Sequence, residues 1–495
     1  MNEDQYIPVD KQIEYEIDEM TRKGAFDEPD TYQEIAQKEA LLEKYEVYEK
    51  NSKGEPTGTI NPIRLAKLLL NGDTHHYATL KDTEQIYHYN GSYWEPKGKQ
   101  VIEQRINYYL DDETRIQRKR EVIDYIRNSN YVTREVFQPQ EHLINLKNGV
   151  YDFLNKELLT HSHTHYFSYE IPVTYDPDAK CPEILEFIKE TLYVEDVPLL
   201  QEFLGDCLQP TYKYKKALML TGETDTGKSQ LLNLIRRMLG EPNLSHESLY
   251  GLCHDRFKAI ELYGKLANIC NELDPVKIST MSTFLQLTGG DYISGQKKHQ
   301  DPFKFLNYAK LLFACNRIPE CKIENPAYYN RWLVFRCDNQ IPKDEQIPFL
   351  FSTFSDQELS GLLNWSIQGL ERLSSQGCYS EHQSLFEITE FMRDHGNPFI
   401  EFSKNLTPDI TARIKKSDLY KHYLEFCNFF GYNTTEDNVF SRKIKKYLPQ
   451  NFSEGFIGKD RAWQGFRYEW KKPGDNHSHD VTGLTDGQQE TLNNE

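Results

Sequence analysis

The chain has 495 residues, 38% of them hydrophobic, with 58 Lys and Arg against 76 Asp and Glu, a length that suggests about two to four domains. A mean hydropathy of −0.72 and the lack of an apolar run of about 18 residues argue against a transmembrane helix, and the acidic N-terminus argues against a signal peptide. Nine scattered cysteines without a C-x-x-C pair disfavour a disulfide framework or a zinc ribbon and suit a reducing cytoplasm.

The net charge of −18 is unevenly placed. Residues 1–50 carry fifteen acidic against six basic residues and read as a charged helix from about residue 10. Residues 51–180 follow as a mixed α/β domain, opening with a linker from Gly54 to Gly58. Within it, His142–Leu146 and Val150–Phe153 flank Asn148-Gly149, a strong short hairpin signal. His161-x-His163-x-His165 would place three imidazoles on one face if the segment is a strand, a candidate metal site. Asp176-Pro-Asp178 spells the D-x-D of a polymerase-type metal site but sits in a turn before a helix. Pro182 to Gln209 reads helical, with Ile184, Phe187, Ile188 and Leu192 on one face. From 217 to 336 short apolar strands (Ala217–Leu220, Leu266–Cys270, Leu311–Cys315, Trp332–Phe335) alternate with helices, the pattern of a helix-covered sheet. A helical stretch over about 357–395 leads to a compact basic unit, and residues 474–495 read as a disordered acidic tail. The expected division is therefore 1–50, 51–180, a helix-covered sheet domain over 181–375, a helical linker over 376–400, a compact basic domain over 401–473, and the tail.

Between the first of those strands and the helix after it stands Gly222-Glu223-Thr224-Asp225-Thr226-Gly227-Lys228-Ser229. Glycines let such a loop close so that successive backbone N–H groups face a phosphate, and the helix N-terminus adds its partial positive charge. Lys228 would reach the β- and γ-phosphates and Ser229 would ligate Mg²⁺, so ATP and Mg²⁺ are the expected ligands.

The later strand ends supply the rest of a hydrolytic site. Glu272 closes one strand and is the candidate to polarise the attacking water. Asn271 stands where an acidic second-shell contact to Mg²⁺ is common, with Asp274 as a substitute. Asn316 would hold the water against the γ-phosphate. Arg331 is the candidate to stabilise charge on the transferred phosphoryl group, supplied by a neighbouring subunit, with Arg317 and Arg336 as alternatives. Tyr292–Ile293 and Phe303–Phe305 read as paired strands with Lys297, Lys298 and His299 near the tip, where cations track phosphates without reading sequence.

In the C-terminal unit, Ser417 to Gly431 reads as a helix with Leu419, Tyr423, Phe426 and Phe430 on its core face. A second helix, Thr435 to Leu448, carries Arg442, Lys443, Lys445 and Lys446. A β-ribbon over Phe452–Ile457 and Gly465–Trp470 follows, with Lys459 and Arg461 at its turn. Two helices and a basic ribbon resemble a winged helix, whose second helix and wing meet DNA.

The order GETDTGKS, NICNELD, LTGGDYISGQKKHQ, LLFACN, NRWLVF resembles the superfamily 3 helicases, in particular the phage and plasmid primase-helicase branch that includes poxvirus and satellite-phage proteins. The resemblance covers roughly residues 180–340. The segment LINLKNGVYDFLNKELLTHS is similar to the domain that precedes the ATPase there, and Lys298-His299 to the hairpin pair that contacts single-stranded DNA. It implies an AAA+-like ATPase in the α/β class, homo-hexameric rings, hydrolysis between subunits, and translocation on single-stranded and forked DNA in a host cytoplasm, with no membrane partner. Many relatives carry a primase domain ahead of this region, whereas here only about 50 acidic residues precede the upstream domain, which leaves open whether a separate primase or other replication proteins are partners. Two rivals stay open: an origin-binding initiator that uses ATP as an assembly switch, and a small-molecule phosphotransferase.

Overall fold

The computed structural model describes residues 32–72, 75–110, 116–138, 140–271, 273, 281–296, 302–316, 318, 325–430, 432 and 434–470. Two units carry the chain, residues 1–138 and 139–495. The acidic segment before residue 32 and the tail after residue 470 lie outside the described residues.

In the first unit, helix α1 (Tyr32–Lys44) leads into the antiparallel pair β1 (Tyr48–Lys50) and β2 (Pro56–Ile60). Helix α2 (Pro62–Asn71) starts where it does because the Asn61 side chain accepts from the Arg64 N–H and Pro62 supplies a preset φ. Its Leu65, Ala66, Leu68 and Leu69 fall on one face and are buried. They pack with Ile102 and Ile106 of α3 (Gly98–Leu110) and Val122, Ile123 and Ile126 of α4 (Ile116–Ser129), each fully buried aliphatic side chain contributing about 1.5–3 kcal/mol. Strands β3 (His76–Leu80), β4 (Ile86–Tyr89), β5 (Trp94–Glu95) and β6 (Tyr131–Val132) form a sheet in the order β5-β4-β3-β6.

The second unit opens on the hairpin that Asn148-Gly149 predicts, β7 (Leu143–Leu146) against β8 (Gly149–Asp152), with β9 (Glu157–Leu159) added antiparallel to β8. Residues 139–180, expected with the upstream domain, pack instead with the unit that carries the glycine-rich loop. Asn243 Nδ2 donates to the Glu170 carbonyl at 2.6 Å, and Asn364 Nδ2 to the Asp176 carbonyl at 2.7 Å. Asp176 itself closes a turn, accepting from the Asp178 N–H and from Gln357 Nε2; both of its oxygens serve the turn and its anchor. His163–His165 is a 3-10 turn rather than a strand, which ends the two-residue alternation, and His161 Nε2 lies 2.8 Å from the Leu146 carbonyl. Among the described residues no group of three His, Cys, Asp or Glu side chains is placed to hold a metal.

The helical run over 182–209 is two helices, α5 (Pro182–Thr191) and α6 (Val197–Cys207). Beyond them come β10 (Ala217–Thr221), α7 (Lys228–Leu239), β11 (Leu244–Ser245), β12 (Ala267–Cys270), β13 (Tyr292–Gly295), β14 (Phe303–Leu306), β15 (Lys310–Cys315) and β16 (Trp332–Arg336). Five of these strands form a parallel sheet in the order β11-β12-β15-β10-β16. All five residues of β10 are buried, as a strand covered on both faces requires. The two-residue β11 is too short to leave a periodic trace. β13 and β14 pair antiparallel as a separate hairpin, the pairing read for Tyr292–Ile293 and Phe303–Phe305.

Helix α8 (Asp356–Gln376) lies against α6 at backbone distance: a Cβ on Gly369 would stand 2.3 Å from the Gln201 carbonyl oxygen. Arg372 locks the pair, donating to Glu202 Oε1 at 2.6 Å, Gln201 Oε1 at 2.8 Å and the Pro198 carbonyl at 2.8 Å. After α9 (Leu385–His395) comes a module of α10 (Pro398–Ser403), β17 (Leu406–Lys415), α11 (Lys416–Phe430), α12 (Asp437–Lys443), β18 (Ser453–Ile457) and β19 (Asp460–Tyr468), with sheet order β17-β19-β18. Leu419, Tyr423 and Phe426 of α11 are buried with Phe402, Phe440 and Trp463. Strand β17 and helix α10 are additions to the two helices and ribbon read from sequence. None of the described cysteines is disulfide-bonded, and no helix among the described residues is long and apolar enough to cross a membrane.

Candidate functional site

Parallel strands end together, so the loop after β10 meets the ends of β12, β15 and β16 at one edge of the sheet. The loop is shaped by backbone that side chains cannot replace. Gly222 has φ +155° and a Cβ there would stand 2.0 Å from the Cys337 carbonyl oxygen; Gly227 has φ +83° and lies against Thr191 of α5. Asp225 also takes a left-handed φ of +62°, tolerated best by Asp, Asn and Gly. Its carbonyl accepts from the Ile341 N–H at 2.8 Å, which ties the loop to the chain beyond β16.

Lys228, the first residue of α7, is buried. Its ammonium donates to the Gly222 carbonyl at 2.8 Å, to the Glu223 carbonyl, and to Thr226 Oγ1 at 3.1 Å. Burial pushes its pKa down, opposed in part by the negative groups nearby, Glu223 and Asp225 among them. Thr226 Oγ1 donates to the Glu223 carbonyl at 3.0 Å, while Ser229 is exposed on the first turn of α7. A loop with no room for a Cβ, a buried cation and an exposed hydroxyl at a helix start fits a magnesium-bound polyphosphate.

The structure brings some expected partners to this edge and not others. Asn316 follows β15 and, with Thr221, Gly222, Glu223 and Arg336, lines a cleft of about 350 Å³. Arg336 pairs with Asp338 at 2.5 Å and lies 5.5 Å from the ring centroids of Tyr193 and Phe391. Arg331 precedes β16 at the opposite edge, where its carbonyl accepts from the Ala217 N–H. Since Ala217 pairs with Trp332 and Thr221 with Arg336, Arg331 stands about 16 Å of strand away from the loop, at ~3.3 Å per residue. Asn271 follows β12, but its Oδ1 accepts from Arg236 Nη2 at 3.0 Å, so the oxygen considered for Mg²⁺ faces a cation and fits a metal contact poorly. Glu272, Asp274 and Arg317 lie outside the described residues.

The hairpin of β13 and β14 is anchored at its base. Ile293 and Phe305 are buried, and the Tyr263 ring meets Phe303 and Phe305 edge-on at 5.2 and 5.5 Å. Lys297, Lys298 and His299, expected between the two strands, lie outside the described residues.

In the C-terminal module the four basic residues divide. Arg442 and Lys446 are exposed, and neither forms an ion pair among the described residues. Lys443 Nζ stands 5.4 Å from the Phe399 ring centroid, and Lys445 pairs with Glu454 at 2.5 Å. Lys416 pairs with the same carboxylate, and these two ammonium groups hold the Glu454 carboxyl down at about 2. A carboxyl depressed on folding stabilises above its ordinary value of 4.5 and loses that contribution as pH falls through about 2. Because the pair is half exposed, Glu454→Gln is expected to cost about 0.5–1 kcal/mol at neutral pH, with the difference from wild type vanishing near the acid end of a denaturation series.

Sequence reading missed part of the lining of the cleft. Glu401, Lys404, Asn405 and Trp470 of the C-terminal module line it with the loop, and nothing in their local pattern marks them as sharing a cleft with residues 221–223.

Residues 64–193 match the family described as D5 N terminal like, residues 220–331 a family of unknown function, and residues 394–480 the family described as Poxvirus D5 protein-like. Among solved structures, the A form apo structure of the NrS-1 C terminal region is 13% identical with a TM-score of 0.44, covering 82% of this chain and 100% of that one. A second apo structure of that region is 14% identical with a TM-score of 0.41, covering 82% and 99%. No curated protein matches the chain by sequence.

Proposed function

We propose that this chain, whose residues 64–193 and 394–480 match the families described as D5 N terminal like and Poxvirus D5 protein-like, is a D5-type primase-helicase relative that works as an ATP-driven, ring-forming DNA helicase in replication. The single observation that carries the reading is the glycine-rich loop with buried Lys228 at the edge of a five-stranded parallel sheet. The strand ending at Asn316 is inserted between the loop strand and the strand before Glu272, the order of an AAA+-like P-loop ATPase. The order helix, strand, two helices and two strands in the C-terminal module supports reading it as a winged helix.

In this reading Lys228 and the loop N–H groups bind the β- and γ-phosphates, and Ser229 is the side chain that would hold Mg²⁺, which neutralises phosphate charge when bound. Glu272 takes the proton of the attacking water and Asn316 orients that water. Arg331, remote from its own loop, serves the loop of a neighbouring subunit in a homo-hexamer with sites between subunits. Lys297, Lys298 and His299 contact single-stranded DNA in the channel, and Arg442 and Lys446 meet duplex phosphates.

The test is DNA. Wild type is expected to hydrolyse ATP faster with single strands present and to unwind a forked duplex, and Lys298→Ala to lose both responses by about tenfold. Binding without unwinding would favour the origin-docking switch. Turnover indifferent to DNA would favour a small-molecule phosphotransferase.

A further inference from the structure

The cleft at the loop is lined in part by a different part of the chain. Gly222, Asn316 and Arg336 line it together with Lys404 and Trp470 of the C-terminal module. Lys404 follows α10 on a braced turn. Asn405 Nδ2 donates to the Glu401 and Phe402 carbonyls, both at 3.2 Å, and the Asn405 carbonyl accepts from the Glu469 N–H at 3.0 Å, fixing the turn to the end of β19. The Lys404 ammonium pairs at 2.5 Å with Glu401, whose carboxylate is 4% exposed, while Lys404 itself is half exposed. Thus two cations, Arg336 and Lys404, flank the same cleft, each steadied by one carboxylate, beside a loop built to receive phosphates.

We propose that Lys404 contacts the terminal phosphate of a nucleoside triphosphate bound at the loop of its own chain, so that the C-terminal module distinguishes a triphosphate from a diphosphate. This rests on the reading of the loop as a nucleotide site. A lysine is suited to the task, being a flexible point charge with three donors that can leave a carboxylate for a phosphate oxygen.

The test titrates the full-length chain, in Mg²⁺, with a fluorescent non-hydrolysable ATP analogue and with the corresponding ADP. Lys404→Ala is expected to weaken the triphosphate by about tenfold and the diphosphate by less than about twofold, with Lys404→Arg retaining most of the discrimination. Triphosphate affinity unchanged in Lys404→Ala, or an equal loss for both nucleotides, would overturn the proposal. If Lys404→Ala melts early because the buried Glu401 loses the Lys404 ammonium, the double variant Glu401→Gln/Lys404→Ala removes the carboxylate charge and is read by the same criteria. Lys228→Ala separates the two levels of inference. Should wild type bind neither nucleotide, or Lys228→Ala bind both as wild type does, the nucleotide site falls and Lys404 with it. Nucleotide binding that depends on Lys228 but not on Lys404 removes the role of Lys404 alone.

Discussion

Lys228→Ala is expected to lower ATP turnover by about 10²- to 10³-fold, the loss seen when one preorganised electrostatic group is removed from a site that builds charge. The ammonium is buried and donates to three oxygens of its own loop, so it is the cation positioned to follow charge onto the transferred phosphoryl group. Folding is expected to survive, because the carbonyls it leaves belong to a loop whose φ angles and link to Ile341 do not involve Lys228. Lys228→Arg is not expected to rescue, since a planar guanidinium is too broad for a cradle in which even a Cβ at Gly222 would collide. Steady-state phosphate release measures it; turnover within about tenfold of wild type would exclude the proposed role.

The second large effect is on stability. Asp206 and Lys310 form an ion pair at 3.4 Å with both side chains fully buried. Lys310 also donates to the Gln209 carbonyl at 3.1 Å and to that of Thr211, and Tyr379 donates to Asp206 at 2.8 Å. Lys310→Met is expected to cost about 3–5 kcal/mol, because it leaves a carboxylate buried without its cation. The double variant Asp206→Leu/Lys310→Met is expected to recover most of the loss. Burial pushes the Asp206 pKa up, against the pull of Lys310. Without the lysine the carboxyl binds a proton more tightly in the folded than in the unfolded chain, so the deficit of Lys310→Met shrinks as pH falls. Urea denaturation at neutral and at mildly acid pH separates these outcomes; a single variant as stable as wild type would show that the pair is not what pins α6 to the start of β15.

The parts of this molecule that were legible in sequence are those whose chemistry requires contiguous residues. The glycine-rich loop stands between an apolar strand and an apolar helix, and the Asn148-Gly149 turn between two apolar runs, so both emerged with their neighbouring elements. Strand β17 was hidden because Pro408 and Asp409 interrupt its apolar positions and its pairing shifts between Asp409 and Arg413, which breaks the alternation. The pairing of Arg236 with Asn271 and the approach of Lys404 to the loop join positions 35 and about 180 residues apart, distances over which periodicity says nothing. Among the arginines near β16, sequence favoured Arg331 as the one that a neighbouring subunit supplies. Strand direction decides which of them its own loop meets: in a parallel sheet the carboxyl end carries Arg336 to the loop and leaves Arg331 at the far edge.

The way the loop cations are held has a consequence for ligand capture. Lys228 already holds loop oxygens, Arg336 holds Asp338 and Lys404 holds Glu401. On the proposed reading of the loop as a nucleotide site, a phosphate arriving there does not add contacts to bare charges. It displaces partners, and only the difference between the new and the surrendered contacts appears as affinity. Such an exchange keeps the site ordered between ligands and leaves the product opposed at every cation by a carboxylate or carbonyl ready to return, an arrangement that favours prompt release over tight retention.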